Sequence, residues 1–218
     1  MFAVLARLSA TVALIALFAV PASASAAQPI ADARALPLGT TVTVEGTATT
    51  PSGAFESSFY DKGFALQDRS AGIYVKTASD LGVRPGRRAR VTGVLTDSSG
   101  LLTIVPSANG VALGRWGAPV LPEPVRTAAV GESTEGRLVQ AIAKITKPVE
   151  NDLPYGHKVY VDDGSGEVVV FVNTRTGIGV GRLAVGDWVR VVGFSSQYSD
   201  HYEIDPRFSR DVGVVGGF

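Results

Sequence analysis

The segment Pro85–Pro106 reads PGRRARVTGVLTDSSGLLTIVP, and Val185–Pro206, 100 residues further on, reads VGDWVRVVGFSSQYSDHYEIDP. The two segments align without a gap. The identical pairs are Gly86 and Gly186, Arg90 and Arg190, Val91 and Val191, Gly93 and Gly193, Ser99 and Ser199, Ile104 and Ile204, and Pro106 and Pro206. A match at one fixed offset indicates an internal duplication. The sequence therefore predicts two copies of one structural unit.

Each copy has the pattern of a bent β-hairpin. A glycine-centred turn precedes a strand, and residues 188–192 alternate with the period of two that strands show. A glycine inside the strand is typical of a bulge or bend that curves a sheet. A polar loop follows at residues 97–100 or 197–200. The second strand is expected to end at Pro106 or Pro206, because proline cannot donate to a ladder.

Composition fits an all-β protein. The 218 residues include 25 glycines, 12 prolines and no cysteine, so turns are frequent and disulfides are excluded. The 20 basic and 20 acidic residues balance, which gives no strong attraction of the whole chain to nucleic acid or anionic membrane. Residues 28–126 hold 10 basic and 8 acidic residues, and residues 127–218 hold 9 and 12, so the first unit is the better candidate for a polyanion.

Residues 1–26 have the features of a secretory signal peptide. Arg7 is followed by an apolar run, Leu8–Val20, and by small residues with cleavage sites near Ala24 or Ala26. A retained membrane anchor is the alternative, but this run is shorter than the ~20 residues that span a bilayer. The sequence therefore predicts a protein that is secreted, periplasmic or in the cell envelope.

The remaining chain divides into units at residues 36–116 and 132–214, joined by a proline-rich linker at 117–131. Each unit predicts a strand, a long loop, a hairpin, a connector and the bent hairpin, which is the plan of a five-stranded OB barrel. A sandwich would need about seven strands. Residues 136–146 predict a strand, with an amphipathic helix as the alternative, and residues 78–83 suggest one helical turn. The segment 207–218 predicts an extra strand or a loose end.

Two blocks resemble a known family. The run GFALQDRSAGIYVKTASDLGVRPGRRARVTGVL (residues 63–95) and the runs KVYVDDGSGEVVVFVN (158–173) and LAVGDWVRVVGF (183–194) resemble bacterial OB-fold modules of the nucleic-acid-binding helicase and anticodon-binding type. Similar modules accompany secreted nucleases and phosphoesterases. The first block departs from the pattern at Arg69 and at Arg87-Arg88. The resemblance implies two tandem OB barrels with a nucleic-acid ligand.

The sequence gives little support for a catalytic function. The histidines are His157 and His201, and the sequence contains no Gly-x-Ser-x-Gly, P-loop or His-Glu-x-x-His motif. Two acidic groups leave metal binding as an alternative. His201, Glu203 and Asp205 share a strand face, which we interpret as a polar outer surface. Asp162, Asp163 and Glu167 could hold calcium, which we interpret instead as Asp-Gly turn chemistry. We expect a non-enzymatic protein without cofactor or metal.

A binding role relies on aromatic rings that stack on bases and on cations that contact phosphates. We predict single-stranded nucleic acid or another extended polyanion as ligand, with a cell-envelope protein or oligosaccharide as the alternative partner. The competing interpretation is that Arg87, Arg88 and Arg90 only shield the edge of a strand. The candidate ligand-binding residues are Phe59, Tyr60, Lys62, Arg69, Tyr74, Lys76, Arg87, Arg88, Arg90, Tyr155, Lys158, Tyr160 and Tyr198.

Overall fold

The structure is a computed structural model that describes residues 26–216. Two five-stranded β-barrels follow one another along the chain, so the predicted all-β class with tandem OB barrels is confirmed. No helix within residues 26–216 is long and apolar enough to cross a membrane. The predicted signal peptide lies outside the described residues, apart from its last residue.

The first barrel closes in the order β1-β2-β3-β5-β4. Its strands are β1 (Thr41–Ala48), β2 (Phe64–Gln67), β3 (Gly72–Val75), β4 (Arg87–Ser98) and β5 (Leu101–Trp116). Strands β3 and β5 pair in parallel and the other pairs are antiparallel, which agrees with the Greek-key connection of an OB barrel. Helix α1 (Ile30–Arg34) precedes β1, and helix α2 (Glu56–Phe59) lies in the β1–β2 loop.

The second barrel repeats this order as β7-β9-β10-β12-β11, closed by pairing of β11 with β7. Its strands are β6 (Glu123–Pro124), β7 (Leu138–Ile145), β8 (Glu150–Asp152), β9 (Gly156–Asp162), β10 (Val168–Asn173), β11 (Trp188–Tyr198), β12 (His201–Asp205) and β13 (Val212–Val215). Short 3-10 helices span Thr127–Ala129, Thr174–Thr176 and Ser209–Asp211. Strand β13 pairs with β11 as the extra strand that residues 207–218 predicted.

The duplication extends to backbone conformation. Ser99 and Ser199 both adopt a positive φ, 55° and 56°, in the loop between the paired strands. Ile104 and Ile204 are fully buried in their barrel cores. Each isoleucine also pairs in parallel with the third strand of its barrel, at Val75 in the first and at Val170 in the second. The two copies therefore share one register as well as one sequence pattern.

Three local predictions are decided by the structure. Residues 138–145 form a strand with Val139, Ala141, Ala143 and Ile145 buried, so the strand interpretation is confirmed. The helical turn at residues 78–83 is wrong, because the backbone there has only bends. The expected end of the strand at Pro106 is also wrong. Strand β5 continues to Trp116, because a register shift in the ladder around Gly93 places the proline at an irregularity, where its missing N–H is tolerated.

The barrels share a third hydrophobic cluster. It contains Phe55, Ala65, Tyr74 and Leu101 from the first barrel and Phe194 from the second. The Phe55 and Phe194 rings stack with centroids 6.0 Å apart. The chain between the barrels is also held in place, since β6 pairs with β7 and the Thr127 hydroxyl donates a hydrogen bond to Asp163. The two barrels are thus docked on one another.

Candidate functional site

A row of arginines crosses the outer surface of the β4–β5 hairpin. Ala89 and Val91 of β4 point into the first barrel, so Arg88 and Arg90, which alternate with them, point outward on one face. Arg115 of β5 lines the same shallow depression as these two side chains. We call Arg88, Arg90 and Arg115 the arginine ribbon.

The arginine ribbon retains free positive charge. Arg90 forms an ion pair with Glu45, with 2.5 Å between nitrogen and oxygen. Arg88 and Arg115 are exposed, and no ion pair to either is present within residues 26–216. Arg87 lies beside the ribbon with its guanidinium 5.3 Å from the centre of the Trp116 ring. A polyanion could therefore contact two unneutralised guanidinium groups next to an indole ring.

The ribbon ends close to a second group of arginines. Pro85 and Pro119, which flank the start of β4 and the end of β5, line a crevice of about 300 Å³ between the barrels. Arg190, Arg207 and Arg210 line the crevice from the second barrel. Arg207 is committed to structure, because it pairs with Asp211 and donates to the Thr49 carbonyl. Arg210 is exposed and stacks on Phe208.

A separate cleft of about 290 Å³ opens where the loops of the two barrels meet. We call it the aromatic cleft. It brings together four of the predicted ligand residues, Tyr60, Tyr155, Lys158 and Tyr198, from two loops and two strands. The rest of the lining is Ser58, Asp152, Phe171, His201 and Glu203.

Contacts between loops hold the cleft in shape. Tyr60 follows α2 in the left-handed conformation, with φ of 55°, and the residue is 75% exposed. Ser57 and Ser58 of α2 both form hydrogen bonds with the Asn173 side chain of the second barrel. On the other side, the Ser199 amide donates to the Ser99 carbonyl at 2.6 Å, so the two β-hairpin loops lie against each other. The cleft therefore depends on the docking of the barrels.

Charges in the cleft are largely paired. The Lys158 amine lies 3.5 Å from the Asp152 carboxylate and 3.9 Å from Glu150. His201 Nε2 lies 3.6 Å from Glu203, and this contact raises the pKa of the imidazole. The hydrogen bond with Tyr155 raises the pKa of Tyr60, so the Tyr60 phenol is neutral at pH 7.

Several carboxyl groups are buried behind the cleft. Asp205 and Glu203 are 1% and 4% exposed. Burial raises the pKa of Asp205 well above its ordinary value, and the neighbouring Glu203 raises it further. Asp61 accepts a hydrogen bond from the Tyr74 hydroxyl at 2.9 Å, and its pKa is raised by burial.

The structure corrects our interpretation of the first acidic group. Glu203 and Asp205 were expected on a polar outer face, but their side of β12 faces the junction between the barrels, so both are buried. Among residues 26–216, no group of three or more potential ligands is arranged to hold a metal ion.

The second acidic group stabilises local structure. Desolvation raises the pKa of Asp163, but hydrogen bonds from Ser165 and Thr127 outweigh it and lower the pKa to about 2. Asp162 accepts hydrogen bonds from the amides of Gly164 and Gly166 in the hairpin turn. These contacts agree with the Asp-Gly turn interpretation.

The other predicted ligand residues are dispersed. Tyr74 is 1% exposed and Phe59 packs edge-on against it at 4.9 Å, so the Tyr74 ring is not accessible for stacking on a base. Lys62 lies 3.7 Å from Glu56, and Lys76 donates to Ser98. The remaining two are Arg69 and Tyr160. Arg69 is exposed in the β2–β3 turn. The Tyr160 hydroxyl donates a hydrogen bond to Glu150, and the Lys147 amine lies over the face of the Tyr160 ring. The predicted set thus separates into the arginine ribbon, the aromatic cleft and isolated positions.

Sequence reasoning missed residues whose role depends on the fold. Arg115 and Trp116 join the arginine surface only because β5 runs on past Pro106. Phe171 and Phe194 lie in predicted strands, and nothing in their strand pattern distinguishes a barrel core from a contact with the other barrel. One signal was present in the sequence at position 194. The corresponding residue 100 positions earlier is Val94, so the aromatic ring of Phe194 is not part of the pattern that the two copies share.

Comparison with known proteins gives one distant sequence relative and several structural ones. No protein-family profile matches the chain. Endonuclease YhcR of Bacillus subtilis (strain 168) is 27% identical over an alignment of 161 positions that covers 69% of this chain, and the chain spans 13% of that protein.

The solved structures that resemble the chain include a murine DNA-binding protein bound to double-stranded DNA, with 13% identity, coverage of 81% of this chain and 97% of that one, and a TM-score of 0.41. The tetrameric p202 HIN2 has 16% identity, coverage of 82% and 95%, and a TM-score of 0.38. The Ifi202 HINa domain in complex with 20bp dsDNA has 14% identity, coverage of 83% and 97%, and a TM-score of 0.35.

Proposed function

We propose that this chain is a secreted, non-enzymatic binding protein that holds single-stranded nucleic acid, or another extended polyanion, on the arginine ribbon. The observation that carries the proposal is the exposed, unpaired charge of Arg88 and Arg115 on one face of a hairpin. Guanidinium groups recognise phosphate by charge and by paired hydrogen bonds.

The surroundings of the ribbon support the same ligand. Trp116 beside Arg87 offers a ring on which a base can stack, and base–aromatic stacking contributes about 1–3 kcal/mol per base. Arg210 lines the crevice from the second barrel, so a longer polyanion could reach that barrel. Among residues 26–216, the ion pair that competes with a ligand at the ribbon is that of Arg90 with Glu45.

The sequence relative gives a second line of support. The similar segment belongs to a protein named as an endonuclease, a class that acts on nucleic acid. This chain matches only 13% of that protein's length, and we propose that the shared segment binds rather than cleaves. His157 is engaged by the Asn151 side chain at 2.9 Å, which favours a structural role for that imidazole.

The test is a titration of single-stranded DNA with the purified protein at several salt concentrations. Arg88→Ala/Arg115→Ala should weaken binding about tenfold or more. It should also reduce the slope of log K against log salt by about two, since each lost phosphate contact removes about one released counterion.

A matched control variant removes the same number of positive charges from another part of the surface. Lys144 and Arg182 are exposed on the second barrel, and Lys144→Ala/Arg182→Ala should leave both affinity and salt slope close to those of the unchanged protein. Equal losses in the two double variants would mean that net charge alone attracts DNA. Affinity that is independent of salt would contradict the proposal.

A further inference from the structure

The aromatic cleft has a chemistry that differs from that of the ribbon. Three tyrosines with exposed rings meet there, Tyr60, Tyr155 and Tyr198, which are 75%, 37% and 52% exposed. Exposed aromatic rings gathered at one cavity are typical of a binding site rather than of an ordinary surface. Because the ribbon lies on the β4–β5 hairpin, the cleft is a second, independent surface.

The rings form walls at nearly right angles. Tyr60 and Tyr155 are 6.0 Å apart between centroids with planes at 79°, and Tyr198 meets His201 at 70°. Two perpendicular rings present a face and an edge to a group placed in the corner between them. The face of a tyrosine ring attracts a cation through the ring quadrupole, within about 6 Å of the centroid.

The base of the cleft carries negative charge. The Glu203 side chain is 5% exposed, and no hydrogen bond to its carboxylate is present among the described residues; its contact is His201 at 3.6 Å. A buried carboxylate whose partner, His201, is neutral when it has lost its proton favours a ligand that brings a positive charge. Asp152 adds a second carboxylate to the lining.

The charges that line the aromatic cleft disfavour ligands that carry a phosphate. The Lys158 amine already lies within 4 Å of Asp152 and Glu150, so little positive charge remains for a phosphate. A nucleotide would bring its phosphate toward Glu203 and Asp152. A cavity of about 290 Å³ is at the small end of ligand pockets, which fits a single compact head group.

We propose that the aromatic cleft binds an alkylammonium group, the chemistry shared by choline, polyamines and lysine-type side chains. The ammonium lies against the Tyr60 and Tyr155 rings with its charge toward Glu203. The apolar parts of the ligand contact Tyr198 and Phe171.

Choline is the probe, titrated by calorimetry or by NMR at constant ionic strength. Its neutral isostere, 3,3-dimethyl-1-butanol, has the same shape without the charge and should bind at least tenfold more weakly. Spermidine and a peptide with one trimethylated lysine separate free amines from a protein-borne ammonium as the source. N-acetylglucosamine and cytidine, which represent other ligand classes, should not bind.

Variants locate the binding. Tyr60→Leu keeps an apolar side chain without a π face and should weaken choline binding about tenfold, whereas Tyr60→Phe should bind as the unchanged protein does. Asp152→Asn should weaken it a few-fold. Tyr160→Leu is the matched control, because Tyr160 lies outside the cleft. Thermal unfolding of each variant shows whether it is folded.

The proposal fails if choline and its neutral isostere bind equally, if no ammonium probe binds up to tens of millimolar, or if Tyr160→Leu loses as much as Tyr60→Leu. It also fails if the sugar or the nucleoside binds in a Tyr60-dependent way. Single-stranded DNA binding by Tyr60→Leu should be unchanged, so the outcome is independent of the function proposed for the arginine ribbon.

Discussion

Single side chains decide where the two copies of the barrel touch. Phe194 in β11 corresponds to Val94 in β4, which is half-exposed on the outside of the first barrel. Phe194 is fully buried between Phe55 and Tyr74 of the other barrel. Asp205 and Val105 show a similar contrast, with exposures of 1% and 40%. The duplicated units thus kept their cores and diverged on the surfaces that meet.

Asp205 gives the protein a pH-dependent stability. Because burial raises its pKa in the folded state, the folded protein binds this proton more tightly than the unfolded chain does. The protonated carboxyl group makes its full contribution to the free energy of unfolding below the ordinary pKa of an aspartate, about 3.9. This contribution is lost as pH rises through the folded-state pKa.

Asp205→Asn keeps the shape and removes the charge, so it should raise the free energy of unfolding at pH 8 by about 1–3 kcal/mol, with little effect at pH 4. Urea denaturation at pH 4, 6 and 8 measures this difference. Asp32→Asn, which removes one negative charge at an exposed position, is the control. A loss of stability at pH 8 in Asp205→Asn would show that the carboxylate is needed in its charged form.

Strands were predictable from the sequence because their signals are local. Alternation over 188–192, the internal glycines and the fixed offset between copies were enough to give ten barrel strands and their order. Helices α1 and α2 were missed, because five and four residues are too few to show a helical period. The length of β5 was missed because its extension depends on an irregularity in the ladder with β4.

The candidate surfaces were predictable by residue type but not by grouping. Tyr60, Tyr155, Lys158 and Tyr198 were expected to contact a ligand, yet they come from both barrels and meet only through docking. No strand pattern encodes how two closed barrels approach each other. For the same reason Tyr74 was expected on an open face, and the structure buries it.

Strand β11 provides a test of the docking contact. Phe194→Ala removes a ring that stacks with Phe55 at 6.0 Å and lies 5.8 Å from Tyr74, and should cost about 3–5 kcal/mol. The corresponding change in the first barrel, Val94→Ala, affects a half-exposed side chain and should cost less than about 1 kcal/mol. Urea denaturation compares the two. Equal costs would mean that Phe194 contributes no more than an ordinary surface residue.

The whole molecule is joined by polar contacts as well as by apolar ones. Arg34 of the first barrel forms ion pairs with Glu132 and Glu135 at 2.8 and 3.0 Å. The Leu138 amide donates to the Gln67 side chain at 2.8 Å, where both groups are buried. Buried polar contacts of this kind make separation of the barrels costly, because their partners would be left unsatisfied or would have to be solvated.

The backbones of the two barrels approach each other closely at two glycines. A Cβ at Gly72 would lie 1.9 Å from the Gly136 carbonyl oxygen, and Gly136 itself has a φ of +83°. A side chain at Gly72 therefore cannot be accommodated without moving one barrel relative to the other. Since the cluster around Phe194 is built from both barrels, we expect the unchanged protein to unfold in one cooperative transition.

Gly72→Ala should break this coupling. Overpacking costs about 1–3 kcal/mol of stability. Each kcal/mol lowers Tm by about 2–4 °C for a chain of this size. Beyond the shift, calorimetry should show the single transition dividing into two as each barrel unfolds alone. Gly179→Ala, where a Cβ meets nothing within 4 Å, should leave one transition. Two transitions in the unchanged protein would contradict the docking, because barrels that share a core cannot unfold independently.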